Sequence, residues 1–152
     1  MPEFMTDAWA QEIRATFNQW PGEERKASKL QDFWDWIAMI QPFVTGRLAL
    51  TVRDMPAGAD CDTLVLDFDA GKMTAASVRK RADAEADAVF LLAGSYADWQ
   101  AMLGGYDVGK TVMYRKLMLE KGDTLQFFMA AFYWTELLAA IQEVPVDLPA
   151  RV

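Results

Sequence analysis

Hydrophobic positions follow two different periods along this chain. Trp9, Ile13, Phe17 and Trp20 recur at the spacing of one helix face. Thr6 ahead of them predicts an N-cap, and Asp7 and Glu12 favour the positive end of the helix. Pro21-Gly22 stops that helix. After the charged run Glu23-Glu24-Arg25-Lys26, the residues Leu30, Phe33, Trp34, Ile37 and Ile40 keep helical spacing, and Pro42 closes a second helix. The period then falls to two. Leu48, Leu50 and Val52 alternate with smaller or polar residues over 47–53, as in a half-buried strand. Leu64, Leu66 and Phe68 do the same over 63–69, and 72–79 reads as a weaker strand. The connections between these strands are short, which favours antiparallel pairing.

Arg79-Lys80-Arg81 reads as a solvated loop or strand end. An apolar strand follows over 88–92. Ser95-Tyr96-Ala97-Asp98 fits a capping box, opening a short helix that Gly104-Gly105 ends. A further helical stretch is predicted over 107–114 and a strand over 116–121. Gly122 breaks that strand and Asp123 caps one long, nearly all-apolar helix over 124–142, with Pro145 and Pro149 beyond it. Between its polar interruptions Gln126, Thr135 and Glu136 this helix is shorter than the ~20 apolar residues of a membrane span. No integral membrane segment is expected, and the helix is read as buried on more than one side.

Composition changes the picture mainly by exclusion. The chain has 152 residues, enough for one domain with its own core. It has no His, which removes Ser-His-Asp triads, Cys-His dyads and His-ligated metal sites. Its lone Cys61 leaves no intramolecular disulfide and suits a reducing, cytoplasmic setting. Fifteen Lys and Arg against 22 Asp and Glu give a net charge of −7, which disfavours nucleic acid as a partner. The apolar share is 53%, and it is rich in large soft groups: six Trp, nine Phe and nine Met. Several lie between Trp99 and Trp134. Met is adaptable and polarisable, so such a cluster suits a cavity for a flexible or planar apolar molecule.

Candidate chemistry is sparse. Residues 104–111 match the phosphate-loop pattern G-x-x-x-x-G-K-[ST] letter for letter, but they follow a predicted helix instead of a buried strand. The match is therefore refused. Asp67 and Asp69 lie on the polar face of a strand and are expected to meet solvent. Asp60 and Asp62 beside Cys61 disfavour a thiolate. Glu136 lies within the most apolar helix and is expected either to point outward or to pair with a base. No catalytic residue, metal ligand or cofactor motif is assigned.

The stretch Ala86 to Gly122 carries a resemblance. An "AD-V-L" strand, Ala86-Asp87-Ala88-Val89-Phe90-Leu91, leads to Gly94-Ser95-Tyr96-Ala97-Asp98-Trp99. A short helix then ends at Gly104-Gly105, and Met113-Tyr114-Arg115-Lys116-Leu117-Met118-Leu119-Glu120-Lys121-Gly122-Asp123 precedes the closing helix. This order resembles the sterol-carrier-protein lipid-binding family. The resemblance implies an α+β fold: a five-stranded, mainly antiparallel sheet covered by helices around an apolar tunnel, here with an N-terminal helical extension. It implies noncovalent binding or transfer of sterols, fatty acyl groups or isoprenoid- and quinone-like lipids, without catalysis. Bacterial members that look similar include accessory proteins for quinone precursors. The chain departs from the family at Gly109-Lys110-Thr111 and in its Trp-rich first 45 residues.

The expected organisation is a cloning scar and start at 1–5, N-terminal helices at 6–44, the lipid-binding domain at 45–143 and a tail at 144–152. The expected lining is Trp99, Met102, Met113, Tyr114, Phe128 and Phe132, with Phe90 and Leu92 on the sheet side and Glu136 as a polar contact. The chain end Ala150-Arg151-Val152 carries no peroxisomal address. Two other readings stand beside lipid carriage. One is an enzyme or pathway accessory using Glu136 or Tyr114 on a hydrophobic intermediate. The other is a homodimer through the Tyr133-Trp134 face of the C-terminal helix.

Overall fold

The computed structural model describes residues 1–148. Pro149 and the chain end Ala150-Arg151-Val152 lie outside the described residues. The elements run α1 (Asp7–Asn18), α2 (Glu23–Ala27), α3 (Gln31–Ile40), a 3-10 turn (Gln41–Phe43), β1 (Gly46–Val52), β2 (Thr63–Asp69) and β3 (Lys72–Arg79). They continue as α4 (Arg81–Ala84), β4 (Phe90–Gly94), α5 (Tyr96–Leu103), α6 (Val108–Met113), β5 (Met118–Lys121), α7 (Thr124–Met129) and α8 (Ala131–Glu143).

The five strands form one sheet in the order β3-β2-β1-β4-β5. β1 and β4 are parallel and the other neighbours are antiparallel. The parallel pair arises because the chain leaves β3 at one edge and returns on the far side of β1, a crossover too long for a hairpin. Alternation along the strands separates two faces. Leu48, Leu50, Val52, Leu64, Leu66 and Leu92 join the main core with α1 and α8. Ala49, Val65, Leu91 and Ala93 form a thinner layer on the other face with Ala84 and Ala88. The segment after Arg79, read from sequence as a solvated loop, thus turns helical at α4 and buries Ala84 on the sheet.

Helix α1 serves the edge strand as well as the core. Thr6 caps it by accepting from the Trp9 N–H. Its polar side meets the backbone of β3: Gln11 donates to Ala76 O at 2.7 Å, and Asn18 both donates to Met73 O and accepts from Met73 N–H. These bonds occupy backbone groups that would otherwise template pairing with another chain.

Residues set apart by the sequence reading are packed into the fold. Phe4 and Met5 are buried, and the Phe4 ring lies 5.0 Å from Trp9 and 5.7 Å from Trp99. Phe4 N–H donates to Asp147 O and Asp147 N–H to Pro2 O, so the start is held by the segment after α8.

The long C-terminal helix expected over 124–142 is two helices. Ala130 leaves helical geometry (φ −105°, ψ 23°) between α7 and α8. The Phe127 carbonyl there accepts both from the Ala130 N–H at 3.1 Å and from the Trp134 indole N–H at 3.0 Å. No helix among the described residues is long and apolar enough to cross a membrane. The Tyr133-Trp134 face is turned into the chain, with both residues at most 5% exposed. It is therefore not available as the homodimer surface expected from sequence, because Phe17, Phe68 and Phe127 already pack against it.

Candidate functional site

At one end of the sheet the covering elements are short. Pro42 does not end the chain's helical path outright; it sits in the 3-10 turn that swings Phe43 outward and Val44 inward. Opposite, the break at Ala130 shortens α7 to a helix of six residues. Between them a groove of about 450 Å³ opens onto the sheet. Phe68, Phe90 and Leu48 supply the sheet wall, and Ile40, Phe43 and Val44 the N-terminal wall. Met129, Ala130 and Trp134 close the third side. The Trp134 ring stacks on Phe127 at 5.7 Å and meets Phe90 and Phe68 edge-on. Gly46, with φ at +119°, lets the wall close: a Cβ there would lie 2.7 Å from Val89 Cγ2.

The polar residues of the lining are Thr45, Arg47 and Gln126. Thr45 Oγ1 accepts from Ala70 N–H. Arg47 forms a bidentate pair with Asp67, its cross-strand neighbour, and lies 3.6 Å from Asp87. The hydrogen bond to Asp67 holds the guanidinium above its ordinary pKa. The mouth carries exposed apolar groups: Phe43 is 82% exposed and Met129 58%. Phe132, also exposed, touches Phe33 and Trp36 edge-on. No charge occurs from Trp36 to Gly46 or from Thr124 to Thr135.

Of the residues expected to line a cavity, the structure brings Phe90 to this groove. Leu92, Trp99 and Met102 are packed solid in the core, and the Trp99 indole donates to Thr51 O at 3.0 Å. Met113 lies at the end of α6 and Tyr114 follows it, both exposed. Phe128 and Phe132 are half exposed on either side of the helix break. Glu136 is buried and accepts from Arg25 Nε at 3.0 Å, Arg25 Nη2 at 2.5 Å and the Trp20 indole at 3.0 Å. The bond to Glu136 raises the pKa of Arg25. Sequence reasoning missed the N-terminal wall. The signal for it was the uncharged run 36–46, with an aromatic placed just after Pro42.

A second hollow of about 590 Å³ lies between α1, α2, α3 and Tyr133, and it contains the buried pair's Glu136. Its walls include Glu23, Lys26, Asp35 and Lys72. An apolar guest there would strip water from charges, so the groove is the better apolar site. The phosphate-loop match behaves as its context predicts. Gly104-Gly105 ends α5, and Thr111, fully buried, donates its hydroxyl to Asp107 O. Burial first, then Asp60, pushes the Cys61 thiol above its ordinary pKa.

No family model matches the sequence, and no curated protein does. Among solved structures, the chain is similar to a crystal structure of sterol carrier protein 2. The TM-score is 0.70 at 28% identity, over 94% of this chain and 100% of that one. It is also similar to the solution structure of a conserved hypothetical protein from Thermus thermophilus, described as possibly a sterol carrier protein. There the TM-score is 0.68 at 27% identity, over 99% of this chain and 94% of the other. With its five-stranded mixed sheet and covering helices, the chain has the sterol-carrier-protein-like α+β fold.

Proposed function

We propose that this chain binds a hydrophobic small molecule of the lipid class, noncovalently, in the groove between the 3-10 turn, β4 and α7, and carries it between apolar sites. The observation that carries the reading is the groove itself: about 450 Å³, walled by aromatic and aliphatic side chains and continuous with the core. Small-molecule sites commonly measure about 300–1,000 Å³ and are mostly apolar with a few polar groups. The names of the two similar structures point to the same ligand class. The driving force would be burial of apolar surface, about 25 cal/mol per Å² removed from water. Glu136, the buried carboxylate considered for acid–base work, faces the other hollow and is engaged by Arg25 and Trp20. Carriage therefore fits the geometry better than catalysis.

The test is native mass spectrometry and lipid extraction of purified protein, followed by titration with fatty alcohols and sterols while monitoring Trp fluorescence. Ala130→Phe supplies the control, because Ala130 lines the groove at the helix break. Binding that falls at least about tenfold in this variant supports the reading. No copurified lipid and no response to any apolar ligand would sink it.

A further inference from the structure

The groove's charge inventory narrows the ligand. Arg47 is the one charged residue in the lining among the described residues. Side chains alternate along a strand, so Arg47 projects away from the face that Leu48 gives to the groove. There it is committed to Asp67 through two hydrogen bonds and to Asp87 through a longer contact. An anionic head drawn into the groove would find no free cation among the described residues of the lining. Leaving a carboxylate or phosphate unpaired among apolar walls is costly. The net charge of −7 works in the same direction at longer range.

What the groove does offer is neutral. Gln126 stands on α7 at the mouth, and among the described residues its side-chain amide takes no hydrogen-bond partner. A carboxamide can both donate to and accept from a hydroxyl, and can donate to a carbonyl. Thr45 Oγ1, which accepts from Ala70 N–H, keeps its own proton to donate. Resting on the groove reading above, we infer that this site selects uncharged lipids bearing a hydroxyl or carbonyl over carboxylates and phosphates of equal chain length. Gln126 is the head-group contact.

The experiment compares hexadecanol with palmitate, two ligands of equal chain and different charge. Each competes with a pyrene-labelled fatty alcohol bound to the full chain, near pH 8 so that the acid is ionised. Hexadecanol is expected to bind at least about tenfold more tightly. Gln126→Lys places a cation at the mouth and should tighten palmitate at least about tenfold. Gln126→Leu should weaken hexadecanol several-fold while leaving hexadecane unchanged, which a purely structural role would not do. Palmitate binding as tightly as hexadecanol, and losing that affinity in Ala130→Phe, overturns the selectivity and leaves the groove reading standing. If neither lipid displaces the probe, or Ala130→Phe binds as well as the parent, the groove reading fails and the selectivity falls with it.

Discussion

The two ends of the helix-covered sheet face use the same residue types to opposite effect. At one end Phe4, Trp9, Tyr96 and Trp99 interlock with ring centroids 5.0 to 6.5 Å apart, and all four are essentially buried. At the other, Phe90, Trp134, Phe43 and Met129 surround open space. The filled end is closed by the chain's first residues, pinned through backbone bonds to Asp147, and by the twelve-residue α1. The open end is covered by a three-residue turn and a six-residue helix. An abundance of aromatic residues therefore does not separate core from pocket; the length and anchoring of the covering element does. Packing is so dominant at the filled end that the buried Trp9 indole N–H finds no acceptor among the described residues. Such an omission costs about 1–3 kcal/mol, offset there by edge-on ring contacts.

If the contrast holds, substitutions at the filled end cost stability and those at the open end cost binding. Trp99→Ala should destabilise by about 3–5 kcal/mol in urea unfolding, since it opens a cavity and removes the bond to Thr51 O. Arg25→Ala, beside the charged hollow, should cost about 2 kcal/mol in the same measurement. It strands a carboxylate only 4% exposed, but the Arg25 side chain is itself 30% exposed, which reduces the loss. Glu120→Gln tests a region outside both ends. Burial pushes the Glu120 carboxyl up, but hydrogen bonds from Arg53 and Arg81 outweigh it and hold the pKa below 4.5. The stabilisation is present above the unfolded value and lost as pH falls through the folded one. The variant should cost under about 1 kcal/mol at neutral pH, and the difference should shrink below pH 4.5 in acid titrations of unfolding. Phe43→Ser should move stability by no more than about 0.5 kcal/mol, because the side chain is 82% exposed, while weakening lipid binding several-fold in fluorescence titrations. A large stability loss from Phe43→Ser would erase the distinction between the two ends.

The strands were the most legible part of the chain. Leu48-Leu50-Val52 and Leu64-Leu66-Phe68 alternate cleanly because one face meets the helices and the other a thin alanine layer. The N-cap half of the capping box expected at Ser95 is present because its chemistry is local: Ser95 Oγ accepts from Asp98 N–H. The break at Ala130 was not legible, since no Gly or Pro marks it and its stabilising bond comes from Trp134, four residues on. The candidate site was legible only at Phe90. The rest of the groove depends on where a long-range turn places Ile40, Phe43 and Val44, and periodicity carries no information about that.

The tie between Arg25 and Glu136 joins positions 111 residues apart, and its two halves differ in exposure. That asymmetry gives mutational history a direction. If position 25 changes first, an enclosed carboxylate is left without a counter-charge, and such a lineage carries the penalty until position 136 follows. If position 136 is neutralised first, the guanidinium can still turn to water. The two sites should therefore drift as a pair, with the step at 136 leading.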